Sequence, residues 1–260
     1  MTVVLEGIPK AVWSMARLAS HRLLVIDYDG TLAPFTIARE RAVPIPRSVE
    51  LLKTLAASSH TSVAIISGRP VEEMEELLDL QPAIHVGESG WEYRMPGGTL
   101  VRHPLSSRLK SVLDEAERLA REGGWGDHLE RKRTAVMLHT RRLAELRARD
   151  LEHRVLIRWL DLASKGEVVV ERVDGGVELR ARGHDTGTTA LWLLSLSRQA
   201  TLGVFIGDDL PDESAFRVMS DFGFGIRVGE SERSSHALGR LPSCEGVADF
   251  LDEWIRVVSG

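Results

Sequence analysis

The sequence predicts an α/β fold: a parallel sheet covered on both faces by helices, with a smaller α/β domain inserted into it. Apolar runs of strand length recur without polar alternation at residues 23–26, 63–66 and 204–206. Such runs read as strands buried on both faces. Each ends in turn residues, and helical patterns follow, so the order is β-α-β. In the middle of the chain this order gives way to helix, two strands, helix, two strands, the pattern of a separate module.

The elements follow in order. Residues 23–26 form a strand ending at Asp27, and 48–57 read as a helix. Residues 63–66 form the next strand, ending at Ser67-Gly68, with a helix over 71–80. From about Leu105 the pattern is a helix (107–121), two strand-like runs within 129–140, and a long helix (143–163). Two further runs, 167–172 and 177–181, are joined by Asp174-Gly175-Gly176, a hairpin signal. A helix over 185–198 returns to the main sheet, the strand 204–206 ends at Gly207-Asp208-Asp209, and a helix covers 214–219. The expected division is a core of 1–104 and 182–260 with an inserted domain of 105–181.

Composition sets limits on function. The 260 residues are 43 % apolar and 27 % charged, the balance of a soluble globular protein. A net charge of −5 argues against nucleic acid or anionic membrane as partners. No stretch approaches ~20 uncharged apolar residues, so no membrane span is expected. Glu6, Pro9, Lys10 and Arg17 leave no clean apolar run for a signal peptide. Cys244 is the single cysteine, which suits a reducing compartment. A cytoplasmic protein, monomeric or weakly dimeric, is the expectation.

Three polar segments sit at carboxyl ends of strands, the edge where open α/β sheets bind ligands. The first is Asp27-Tyr28-Asp29-Gly30-Thr31. Two carboxylates at this spacing can divide labour, one attacking phosphorus while the other handles the proton. Gly30 allows close backbone approach to a phosphate and Thr31 offers a hydroxyl. An ordinary Asp-Gly turn is the alternative. The second, Ser67-Gly68-Arg69-Pro70, reads either as a plain helix start or as a phosphate site at a helix N-terminus. The third, Gly207-Asp208-Asp209-Leu210-Pro211-Asp212-Glu213, places four carboxylates after a buried strand. They repel unless a cation joins them, and an all-oxygen set suits Mg²⁺.

The three segments in this order resemble the haloacid dehalogenase superfamily, whose Rossmann-like core carries an inserted cap. The resemblance implies that Asp27 is the nucleophile, Asp29 the general acid/base, and Thr31 and Ser67 phosphate ligands. It implies metal binding by Asp27, Asp29 (through its carbonyl) and Asp208, with Asp209 and Asp212 in support. Further stretches narrow it: Asp27 to Pro34, Gly87-Glu88-Ser89-Gly90, and Asp212-Glu213-Ser214-Ala215-Phe216 look like trehalose-6-phosphate phosphatases. In the inserted module, Glu130-Arg131-Lys132, His139-Thr140-Arg141 and Glu178 are similar to that family's cap signature. By that resemblance the ligand is a small sugar phosphate, contacted by Gly30, Gly68, Arg69, Glu130, Lys132, His139, Arg141 and Glu178. Residues 130 and 132 share one face of a strand, so both can reach one ligand.

One position departs from the family. Where it places a lysine after the cap, this chain reads Arg182-Gly183-His184-Asp185-Thr186, with Thr186 at the lysine position. Three readings stay open. Arg182, or else Arg180 or His184, supplies the charge; the enzyme is slowed on the order of 10²–10³-fold; or the chain binds a sugar phosphate without turning it over. Another sugar or glycoside phosphate, of sucrose or glycosylglycerate type, is the alternative substrate.

Overall fold

A computed structural model describes Leu5 and residues 7–36, 39–173, 175–197, 199–230 and 233–259. The chain forms two compact units, Met1–Arg102 with Asp185–Gly260, and His103–His184. The first unit begins with α1 (Lys10–Leu18), β1 (His21–Asp27), α2 (Pro46–Ala56), β2 (Thr61–Ile66), α3 (Val71–Leu77), β3 (Ile84–Gly87), β4 (Glu92–Arg94) and β5 (Leu100–Arg102). The second unit contains α4 (Ser107–Glu122), β6 (Leu129–Arg131), β7 (Ala135–His139), α5 (Glu145–Ala163), β8 (Val168–Val173) and β9 (Gly176–Ala181). The chain then returns through α6 (Thr186–Ser195), β10 (Thr201–Gly207), α7 (Glu213–Met219), β11 (Gly223–Val228), β12 (Gly239–Leu241) and α8 (Cys244–Ser259).

Among the described residues, eight strands make the larger sheet in the order β12-β11-β10-β1-β2-β3-β4-β5. Alternation sorts its side chains onto two faces. Leu24, Ile26, Val63, Ile65, Val204 and Ile206 point to one face, against Trp13 of α1, Leu52 of α2 and Phe250 and Trp254 of α8. Leu23, Val25, Ala64, Ile66 and Phe205 point to the other, against Ala190 and Leu193 of α6 and Phe216 and Met219 of α7. Burial on both faces is why these strands read as unbroken apolar runs.

The sheet is not parallel throughout. β12 to β3 run parallel, but β4 and β5 are antiparallel. The chain reverses directly after β3 through Glu88 and Ser89, both at positive φ (46° and 55°), and Gly90. So short a reversal cannot make the crossover that a parallel strand needs. Element ends also moved. α3 stops at Leu77 because Leu78 turns extended and is buried with Leu80. α5 starts at Glu145, after a turn in which the Leu143 amide donates to the Thr140 carbonyl at 2.8 Å. Asp174 of the hairpin signal and Arg198 at the expected helix end lie outside the described residues.

The second unit has a four-stranded antiparallel sheet in the order β6-β7-β9-β8. Val136, Leu138, Val177 and Leu179 are paired in register and wholly buried. They share one face by alternation, leaving Glu130, Met137 and Glu178 together on the opposite face. α4 and α5 pack together, the Trp159 indole donating to the Ala116 carbonyl at 3.1 Å.

Phe216 tests the core of the first unit, because it is fully buried, lies edge-on to Phe205 and fills the space left by Gly225. Phe216→Ala is expected to destabilise this unit by about 3–5 kcal/mol, read from urea unfolding curves.

Candidate active site

β1 lies between β10 and β2, with Ile26 level with Ile206 and Asp27 level with Ile66. That register brings the carboxyl ends of three neighbouring strands to one edge: Asp27 at the end of β1, Ser67 after β2 and Asp208 after β10. The segments are distant in sequence, and strand pairing makes them neighbours.

Carboxylate oxygens of Asp27, Asp208 and Asp212 all lie within 4.8 Å of one another. Two glycines make this approach possible. Gly30 has φ +86°, and a Cβ there would stand 2.4 Å from Asp208 Oδ2. A Cβ on Gly207 would stand 2.4 Å from Asp212 Oδ2. Asp212 is buried, and its Oδ2 accepts the Asp208 amide (3.0 Å) and the Asp209 amide (3.1 Å). Thr31, fully buried, donates to Asp208 Oδ1 at 3.3 Å.

Crowding carboxylates in a buried site favours their neutral forms. Burial, then the charges of Asp212, Asp208 and Asp29, push Asp27 well above the usual carboxylate range. Burial, then Asp212 and Asp209, push Asp208 up to about 8. Burial raises Asp212 to about 7, although the Asp209 and Asp208 amides work against it. A cation seated among these oxygens would replace repulsion by attraction, and an all-carboxylate set fits a hard divalent ion. The acidic cluster can therefore hold a metal ion.

Asp29 is placed differently. Its two oxygens receive Arg69 Nη2 at 2.6 Å and Nε at 2.7 Å, a bidentate fork. The Arg69 side chain is only 4 % exposed, so little solvent competes for it. Its third nitrogen donates to Glu73 (2.7 Å) and to the Arg39 carbonyl (3.0 Å), and the guanidinium lies 5.4 Å from the Tyr28 ring centre. Ser67 Oγ accepts the Arg69 amide at 3.0 Å, and Gly68 is exposed at the turn between them. Asp209 caps the short turn Leu210–Asp212 by accepting the Leu210 amide at 2.7 Å.

Thr186 opens α6 and is buried. Its hydroxyl donates to the Pro211 carbonyl (2.5 Å) and meets Ser214 Oγ (2.9 Å), while the Gly187 amide also donates to Ser214. Thr186 thus ties α6 to the acidic loop and brings no charge. Arg182 belongs to the other unit, where it is exposed and its Nε donates to the Val168 carbonyl at 2.9 Å. Arg180 there pairs with Glu171, and its Nη1 donates to the His184 carbonyl.

Four of the five candidate sugar-binding residues of the second unit form two pairs. Lys132 Nζ donates to Glu178 at 3.0 Å, and both side chains are largely buried. His139 Nε2 meets Glu130 Oε2 at 2.8 Å. Arg141 is exposed, its aliphatic stem crossing Gly175, where a Cβ would be 2.3 Å from Arg141 Cγ. Sequence reasoning passed over three groups that touch the core site. Glu73 braces Arg69, the Cys244 thiol lies 3.4 Å from the Gly30 carbonyl, and Arg233 Nη2 donates to the Asp208 carbonyl at 2.6 Å. Glu73 could have been found, being one helical turn beyond Arg69. The other two reach the site from distant chain with no local signal.

A model of the trehalose-phosphatase family matches residues 25–241. The chain belongs to the trehalose-phosphatase family. It is 30 % identical to the trehalose-phosphate phosphatase of Mycobacterium tuberculosis over 256 residues, 92 % of this chain and 62 % of that protein. It is 31 % identical to the bifunctional trehalose-6-phosphate synthase/phosphatase of Thermoproteus tenax, over 90 % of this chain and 32 % of that protein. The chain thus spans less than two thirds of the length of these relatives. Its fold matches the C-terminal domain of Candida albicans trehalose-6-phosphate phosphatase, with a TM-score of 0.82 and 20 % identity over 96 % of each chain. The three strand-edge segments all fall inside the stretch matched by the trehalose-phosphatase model. Among the described residues no helix is long and apolar enough to cross a membrane.

Two predictions follow from this geometry. Without metal, the raised carboxyls of Asp208 (about 8) and Asp212 (about 7) cost the folded state stability progressively as the pH rises from about 4, where the unfolded chain ionises, up to those values. The thermal midpoint of EDTA-treated protein should therefore rise as the pH falls from about 8.5 to about 5.5, and a saturating divalent cation should flatten the rise. Gly30→Ala should push the Asp208 carboxylate away, abolishing stabilisation by the cation in the same melting assay.

Proposed function

We propose that this chain is a Mg²⁺-dependent phosphatase that hydrolyses trehalose 6-phosphate to trehalose and phosphate through a phospho-aspartate. The observation that carries the reading is the meeting of Asp27 with Asp208 and Asp212 at one sheet edge, in a chain of the trehalose-phosphatase family. Asp27 and Asp208 would hold Mg²⁺ with the Asp29 carbonyl, and Asp209 and Asp212 would support them. When bound, the ion would neutralise negative charge between the carboxylates and the phosphate dianion.

The chain's own groups perform the transfer. An Asp27 oxygen attacks phosphorus, forming an acyl phosphate as the bond from phosphorus to the sugar oxygen breaks. Asp29 gives its proton to that leaving oxygen. It then takes a proton from a water molecule, which attacks phosphorus, releases phosphate and restores the Asp27 carboxylate. Both Asp29 oxygens accept from the Arg69 fork, so Asp29 leaves the fork to carry the proton. Ser67, Thr31 and the backbone at Gly30 and Gly68 would bind phosphate oxygens. Glu130, Lys132, His139, Arg141 and Glu178 would bind the sugar hydroxyls, the carboxylates accepting and the cations donating.

Thr186 favours a second reading, a sugar-phosphate sensor without turnover, because it brings no charge where the family has lysine. Arg182 is the substitute on the catalytic reading. Phosphate release from a panel of sugar phosphates, with Mg²⁺ and with EDTA, separates these. Turnover of trehalose 6-phosphate that requires Mg²⁺ and falls at least about 10³-fold in Asp27→Asn is expected. Turnover confined to a sucrose or glycosylglycerate phosphate would replace the substrate and keep the mechanism. Tight binding with no phosphate released would establish the sensor.

A further inference from the structure

The loop from Asp208 to Glu213 carries four carboxylates and no basic residue, so its counter-charge has to come from elsewhere in the chain. Part of it arrives from the segment between β11 and β12. Arg233 Nη2 donates to the Asp208 carbonyl at 2.6 Å, and its Nη1 lies 3.6 Å from Asp209 Oδ1. The Asp208 peptide is therefore held from both sides. Its amide donates to Asp212 from within the loop, and its carbonyl accepts from Arg233 outside it.

Arg233 is itself anchored. Its carbonyl accepts Arg227 Nη1 at 3.1 Å, and Arg227 is buried in β11, paired in register with Gly207. The same segment is pinned again at the start of α7, where Glu213 Oε2 accepts the His236 amide at 2.8 Å. A chain of contacts thus runs from the sheet through Arg227 and Arg233 to Asp208. The guanidinium meets the carbonyl of Asp208 and the carboxylate of Asp209, and leaves the Asp208 carboxylate to its partners in the acidic cluster.

We propose that Arg233 is a positioning residue for cation binding, fixing the backbone of Asp208 so that its carboxylate stays in register with Asp27 and Asp212. The proposal builds on the metal site of the proposed function but not on its substrate. Charge alone predicts the opposite behaviour, since removing a cation beside a cation site would tighten binding. Positioning predicts weaker binding, because partners one shell out from a ligand typically set affinity by about 10–100-fold.

The test is a Mg²⁺ titration of the full chain, read by thermal midpoint and by tryptophan fluorescence, for wild type, Arg233→Met and Arg233→Lys. The half-saturating Mg²⁺ should rise about tenfold or more in Arg233→Met. It should recover in part in Arg233→Lys, which keeps the charge but loses the fork. Unchanged or tighter binding in Arg233→Met would overturn the proposal. If the metal-free midpoint also falls, Arg233→Lys decides. Recovery of affinity without recovery of the midpoint supports positioning, and the two moving together overturns it. No substrate enters this readout, so wild-type protein that binds Mg²⁺ yet releases no phosphate would refute the proposed activity and leave Arg233 standing.

Discussion

Carboxylates that face one another, one buried and two partly buried, are the constraint on which this site depends. Asp27, Asp208 and Asp212 sit within 4.8 Å of each other at the edge of a sheet whose interior is apolar, and each is driven toward its neutral form by burial and by the others. A fold that only needed to be stable would not gather them, because each charge taken out of water without a partner is unfavourable. The arrangement makes sense as a site prepared for a cation. Perturbed acids of this kind are a signature of functional sites.

The surroundings divide the work of holding it. Glycines at 30 and 207 give up side chains so that carboxylates can approach the backbone. Two backbone amides bind Asp212, the most buried of the three acids. Asp29 is kept apart by the Arg69 fork, itself stacked on Tyr28 and braced by Glu73, so the two aspartates of one short segment occupy different electrostatic settings. Thr186 adds a neutral tie between α6 and the acidic loop.

Much of this was legible in the sequence because the core strands are short, apolar and buried on both faces. Asp27 ends such a strand, and Ser67 and Asp208 each follow one directly, so locating the strands located these candidate residues. In the second unit Glu130 meets His139, and Lys132, just past the end of β6, meets Glu178; both pairs depend on cross-strand pairing and left no local pattern. The antiparallel end of the sheet was missed because β4 and β5 are three residues each, too short for periodicity to register. α8 did carry a helical signal, in Val247, Phe250, Leu251 and Trp254, that went unread beside the motifs. The fork from Arg69 to Asp29 joins segments forty residues apart and leaves no local pattern. Arg233 reaches Asp208 from twenty-five residues away and is equally invisible.

The most direct measurement is anomalous X-ray scattering from crystals grown with Mn²⁺ in place of Mg²⁺. The expected result is a manganese peak coordinated by carboxylate oxygens of Asp27 and Asp208, with Asp212 alongside. A map with no peak among these three residues, or with Mn²⁺ bound only at other carboxylates, would contradict the view that a cation resolves their repulsion.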